Sequence, residues 1–171
     1  GDQRARIIAA PKKFIIYTKE LNLDQKIYDG VATITVSTER SNPTVKTTDY
    51  KNCLNAYKLA PSRNCFEAIL PDKKRPVLER SRSNIFWVIK NSLFTRKDNV
   101  LPVITRRTII QNSPYSINYS MIKIVDFRRI SELFLINNGS GIIPVLQVNF
   151  RTIVKSEPGL MTLHLLKSYD N

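Results

Sequence analysis

One histidine, one tryptophan, two cysteines and five glycines are all that this 171-residue chain contains of those types. A lone His164 argues against a catalytic triad or dyad that uses histidine as its base. Cys53 and Cys65 stand apart with no CxxC pair or Cys/His cluster, so no metal site is expected and both read as reduced, buried thiols. No apolar run nears the ~20 residues of a membrane-spanning helix, and no signal peptide opens the chain. Opening on Gly1 rather than Met points to a fragment or a processed chain.

Acidic residues are also scarce: 14 Asp and Glu face 27 Lys and Arg, a formal charge of +13 that brings nucleic acid to mind as a partner. The cations are scattered through strands and turns without a dense run or interleaved aromatics, so a solvated surface is the simpler reading. The 42% apolar content rules out a wholly disordered basic tail. The length suits a single globular domain with a sizeable core.

Along the chain the first ten residues read as polar and basic. FIIYTK (14–19) and VATITVST (31–38) read as strands, separated by a loop over 22–30. Tyr50, Cys53, Leu54 and Tyr57 recur at helical steps, which predicts a helix over 49–60 stopped by Pro61. CFEAIL, VLERSRSNIFWVI and LFTR then have the rhythm of strands joined by short turns. A short helix is expected over 106–111 with Thr105 as its cap. INYSMIKIV reads as a strand, DFRRISEL as a helical turn or two, ELFLIN as a buried strand, and IIPVLQV with FRTIV as a closing hairpin. A terminal helix over 158–169 completes an α+β fold with its helices inserted between hairpins.

Three places invite chemistry. Lys46 lies where a strand gives way to a helix, the setting in which a partly desolvated lysine becomes a nucleophile. Glu79, in VLERSRSNIFWV, either pairs with Arg80 or Arg82 or meets a cationic ring nitrogen. In LPVITRRTII, Ile104 and Thr105 stand at a helix start, where backbone N–H groups and a hydroxyl form a natural phosphate site.

Taken in order, VKTTDYKNCLNAYKLA, FEAIL, VLERSRSNIFWV, LFT, LPVITRRTII and ELFLINNGSGIIPVLQV with its trailing EPG resemble the fold type IV aminotransferases dependent on pyridoxal 5′-phosphate (PLP). That family includes the branched-chain and D-amino-acid aminotransferases and aminodeoxychorismate lyase. The resemblance runs from about residue 45 to residue 159. It implies a pseudo-barrel of antiparallel and mixed hairpins like the C-terminal domain of D-amino-acid aminotransferase. Residues 1–40 would end an N-terminal domain and its linker strands, and 41–171 would form the PLP-binding domain.

By the same resemblance Lys46 holds PLP as a Schiff base and shuttles the proton between substrate Cα and cofactor C4′. Tyr50 hydrogen-bonds the phenolic oxygen and Glu79 keeps the pyridine nitrogen protonated. Leu101 packs on a ring face, while Ile104, Thr105 and Asn138 hold the phosphate. Amino acids and 2-oxo acids are the implied substrates, a homodimer the implied assembly, and the cytoplasm, or an organelle stroma or matrix after loss of a targeting segment, the implied location. An N-terminal domain of roughly a hundred residues, which in the family supplies an arginine to the phosphate, does not fit before Lys46.

The chain also departs from the family pattern. Arg80 and Val103 replace residues that are usually small or glycine, and Val154 replaces a small one in the late IVKSEPG turn. If those positions need φ > 0, each replacement costs about 1 kcal/mol or more. The departures define a second reading, a non-catalytic relative whose basic surface binds a partner or nucleic acid.

Overall fold

The computed structural model describes residues 3–38, 51–71, 78–80, 84–98, 100–154 and 157–170. Its strands are β1 (Gln3–Ala10), β2 (Lys13–Glu20), β3 (Val31–Thr35), β4 (Glu67–Pro71), β5 (Leu78–Arg80), β6 (Asn84–Ile89), β7 (Ser92–Thr95), β8 (Ile117–Tyr119), β9 (Glu132–Asn137), β10 (Gly141–Val148) and β11 (Arg151–Thr152). The helices are α1 (Lys51–Ser62), α2 (Ile104–Asn112) and α3 (Leu160–Asp170), with 3-10 turns over Gln25–Asp29 and Ile124–Arg129. Among the described residues the main sheet runs β5-β4-β3-β10-β9-β6-β7-β8, with β11 added to β10. The class is α+β.

Strand β10 joins two halves of this sheet. Its first residues pair antiparallel with β9, and Val145, Gln147 and Val148 pair parallel with β3. Pro144, which lacks an N–H, sits where the strand passes from one partner to the other. Alternation along the strands sends side chains into distinct cores. Ile85 and Trp87 of β6, Leu133 and Leu135 of β9, Ile143 and Val145 of β10, and Ile69 of β4 share one core enclosed by both halves. The intervening Phe86, Phe134, Ile136 and Ile142 face outward under α2 and α3, where they meet Ile109, Met161 and Leu165. Helix α1 covers β3 and β4 through Cys53, Ala56 and Ala60. The sheet is thus open by its hydrogen bonds among the described residues, although its halves enclose a common core. It also includes residues on both sides of the expected 40/41 boundary, because β3 lies in its middle.

Several local expectations change. Residues 3–10 form a strand rather than a polar lead, zipped to β2 across a turn at Pro11 and Lys12. Ala5, Ile7 and Ala9 share one face of this hairpin with Phe14 and Ile16, and that apolar face is exposed. Helix α1 does not stop before Pro61; it takes the proline into its last turn. Its end is set instead by Asn64 at φ 54°, with Cys65 N–H bonded to Ala60 O and Asn64 N–H to Pro61 O, a Schellman closure with asparagine in the usual glycine place. The 117–125 strand shortens to Ile117–Tyr119 before the second 3-10 turn. In α3, Met161 and Leu165 are buried while Leu160 points to solvent.

Cys53 and Cys65 are both free and buried, as expected. Burial pushes the Cys65 thiol above its ordinary value, so it is held protonated. A thiol reagent at pH 8 should therefore titrate almost no cysteine in the folded chain and both in denaturant. Rapid native-state labelling would contradict this burial.

Candidate functional site

The sequence LPVITRR builds the start of α2. Leu101 is half-buried, and its carbonyl accepts a 3.1 Å hydrogen bond from Asn84 Nδ2 at the head of β6. Val103, not Thr105, is the N-cap, at φ −101° and ψ 150°, and its side chain accepts nothing. This is ordinary extended backbone, so the strain expected from a glycine replacement there is absent. Val154 likewise avoids positive φ, and Arg80 is a strand residue paired with Ile69. Among the described residues, left-handed positions fall on Gly30 and Gly141 and, in place of further glycines, on Asn64, Lys90, Asn91, Asn149 and Phe150. Asparagine tolerates that region better than most side chains.

With a valine N-cap, α2 takes its side-chain acceptor from another element. Thr105, buried in the first turn, donates its N–H to Asn138 Oδ1 at 3.4 Å. Its hydroxyl lies 3.0 Å from the same oxygen and 3.3 Å from Asn137 O. Asn138 stands in the β9–β10 turn, held in shape by Asn137 Oδ1, which accepts from the N–H groups of Gly139 and Ser140 at 2.8 Å each. Gly141, at φ 61°, returns the chain into β10. A Cβ on Gly139 would sit 2.9 Å from Arg4 Nη2, which brings a cation of β1 against this turn.

Arg106 locks the helix start to the sheet. Its Nη1 donates to Thr95 Oγ1 at 2.6 Å and its Nη2 to Arg96 O, while the guanidinium carbon lies 5.5 Å from the centre of the Phe86 ring. Phe86 stacks at 5.2 Å on Phe134, its register partner. Burial pulls Arg106 below its ordinary value, opposed by the field of Tyr119. The first turn of α2 contains no acidic residue. The helix dipole and Arg4, against the Gly139 turn, favour an anion here, whereas the Arg106 guanidinium is spent on the sheet.

The structure brings Thr105 and Asn138 together, with Leu101 in the loop leading into the same helix. Ile104 opens α2 but its side chain is exposed, leaving its backbone as the useful part. Glu79 lies in β5 with its backbone opposite Leu70. Lys46 and Tyr50 lie outside the described residues. Sequence reasoning missed Arg106 and Tyr169, whose hydroxyl lies 3.3 Å from Thr105 Oγ1. Arg106 was one arginine among many, and no spacing rule links Tyr169 to a helix start more than sixty residues earlier.

The start of α2 suits a phosphate monoester that displaces Asn138 Oδ1: the Thr105 N–H and hydroxyl that now meet this carboxamide oxygen would meet a phosphate oxygen, with no carboxylate in the helix's first turn. The profile of the amino-transferase class IV family matches residues 2–148. A Methanocaldococcus jannaschii protein assigned as a branched-chain-amino-acid aminotransferase is 29% identical, over 82% of this chain and 52% of that protein. A Thermotoga maritima structure assigned to the same activity superposes with a TM-score of 0.82 at 21% identity, covering 98% of this chain and 64% of that one. The T.th. branched-chain amino acid aminotransferase, solved with pyridoxamine 5′-phosphate, gives a TM-score of 0.78 at 20% identity, covering 91% of this chain and 55% of that one. The chain spans about half the length of the M. jannaschii protein.

Proposed function

We propose, from the premise that this chain belongs to the class IV amino-transferase family, that it is the PLP-binding portion of an enzyme moving an amino group between an amino acid and a 2-oxo acid. The observation that carries the reading is the Thr105–Asn138 pair at the start of α2, an anion cradle inside the stretch that the family profile matches. PLP, when bound, supplies a ring that withdraws electrons from the substrate's Cα.

This chain's residues do the rest. The N–H groups of Ile104 and Thr105 and the Thr105 hydroxyl would hold the phosphate in place of Asn138 Oδ1, with the Asn138 carboxamide turning its NH2 toward it, and the dipole of α2 favours its charge. The loop carrying Leu101 is pinned by Asn84, which suits Leu101 to shield one face of the ring and exclude water. Lys46 is the covalent anchor and the base that takes and returns the proton at Cα. Tyr50 donates to the ring's phenolic oxygen, and the Glu79 carboxylate keeps a proton on the ring nitrogen. Homodimer assembly belongs to the same proposal. So does the need for protein beyond these 171 residues to select the amino acid, given how much longer the relatives are.

Incubating the chain with PLP, reducing with borohydride and mapping the peptides tests this. A pyridoxyl label concentrated on Lys46 and lost in Lys46→Ala is the expected result. A label absent from Lys46, or spread evenly over the surface lysines, removes the reading.

A further inference from the structure

Tyr169 belongs to the last turn of α3, far from the site in sequence, yet its phenol reaches the hydroxyl that the anion cradle depends on. Proton accounting gives the direction of that contact. Thr105 Oγ1 has one proton and three oxygen neighbours: Asn138 Oδ1 at 3.0 Å, Asn137 O at 3.3 Å and Tyr169 OH at 3.3 Å. Asn138 presents its oxygen rather than its nitrogen, because the same atom accepts the Thr105 N–H. Amide oxygens only accept, so the threonine proton goes to one of them and the phenol proton is left for Thr105 Oγ1.

The ring is held where it makes this contact. It lies against Gly141, where a Cβ would stand 2.9 Å from ring Cε1, and Gly141's positive φ independently favours glycine. At the other end of α3, Glu132 accepts the N–H groups of Met161 and Thr162 and the Thr162 hydroxyl. The helix is therefore docked at both ends across β9 and β10, the strands whose connecting turn carries Asn138.

We infer that Tyr169 is a positioning residue for the anion site: by donating to Thr105 Oγ1 it keeps the threonine proton directed at the acceptor position that Asn138 Oδ1 fills and that a phosphate oxygen would take over. The inference deepens the proposed function and rests on it only for the identity of the anion.

Tyr169→Phe keeps the ring and removes one proton donor, which isolates the effect. In the full chain, its affinity for both PLP and inorganic phosphate should fall roughly three- to tenfold. In Thr105→Val the tyrosine has nothing to position, so adding Tyr169→Phe should cost nothing further. In the ligand-free protein, amide hydrogen exchange at Thr105 should quicken in Tyr169→Phe while the amides of α3 stay as slow as before.

Unchanged Thr105 exchange, additive losses in the double variant, or faster exchange throughout α3 would each overturn the inference, the last by reducing the hydroxyl to helix docking. If the unsubstituted chain bound neither PLP nor phosphate, the functional reading would fall, and the exchange result alone would decide whether Tyr169 positions Thr105.

Discussion

Phe134→Ala should lower stability by about 3–5 kcal/mol, the usual cost of emptying a fully buried aromatic site. Phe134 is sealed from solvent, stacks on Phe86 across the β6–β9 register, and shares its cluster with Ile109 of α2 and Met161 and Leu165 of α3. Its loss removes the ring that backs Phe86, on whose neighbouring surface the Arg106 guanidinium rests. The cavity would thus open beneath both helices, α2 and α3, whose residues Thr105 and Tyr169 meet. For a chain of this size the midpoint of thermal unfolding should drop by roughly 10 °C. Urea unfolding followed by tryptophan emission is a second check, because Trp87 lies on the adjacent residue of β6 with its side chain in the other core. A drop of only a degree or two would mean that the outer cluster is not packed as described.

Glu132→Ala is the second large change, expected at about 3 kcal/mol from the hydrogen bonds it removes. A carboxylate that accepts two backbone N–H groups and a threonine hydroxyl, at 3.2, 2.7 and 2.7 Å, acts as an N-cap supplied by another element. Hydrogen bonds to a charged acceptor contribute about 1.5–3 kcal/mol each, partly replaced by water once the partner is gone. Gly159 is part of this arrangement: a Cβ there would collide with the Glu132 carboxylate carbon. The glycine of EPG therefore makes room for a helix cap. Because the last turn of α3 carries Tyr169, loosening its first turn should also reach Thr105. Hydrogen exchange should show α3 amides losing protection first, and phosphate affinity falling at least as far as in Tyr169→Phe. Loss of α3 protection with undiminished phosphate affinity would separate the helix from the site.

The charge of +13 takes on a more local meaning in this structure. Arg106 is a buried structural cation, and Arg4 lies against the Gly139 turn. Of the two, Arg4 is the one that favours an anion beside the Gly139 turn. Scattered cations elsewhere do not distinguish the function. Their field is screened over about a Debye length in physiological salt.

Local pattern was enough to determine the strands whose alternation or composition is strong, such as FIIYTK, VATIT, NIFWVI and ELFLIN, because a period of two and β-branched side chains need no distant partner to be recognised. It was also enough for the family, since ordered motifs from VKTTDYKN to EPG keep their spacing whatever the side chains touch. The same resemblance singled out Thr105 and Asn138, whose side chains meet in the structure. Tertiary structure decided the rest. The lead segment 3–10 became a strand because β2 pairs with it along its length. Val103 displaced Thr105 as the cap because Asn138, from a different hairpin, supplies the missing acceptor. Asn64 ended α1 after Pro61 had been taken into it, since the closure depends on a left-handed residue beyond the proline. Tyr169 reaches Thr105 only because Glu132 and Gly141 dock α3 across the sheet. Each of these rests on contacts between segments remote in sequence or on a backbone angle, and neither periodicity nor composition encodes such things.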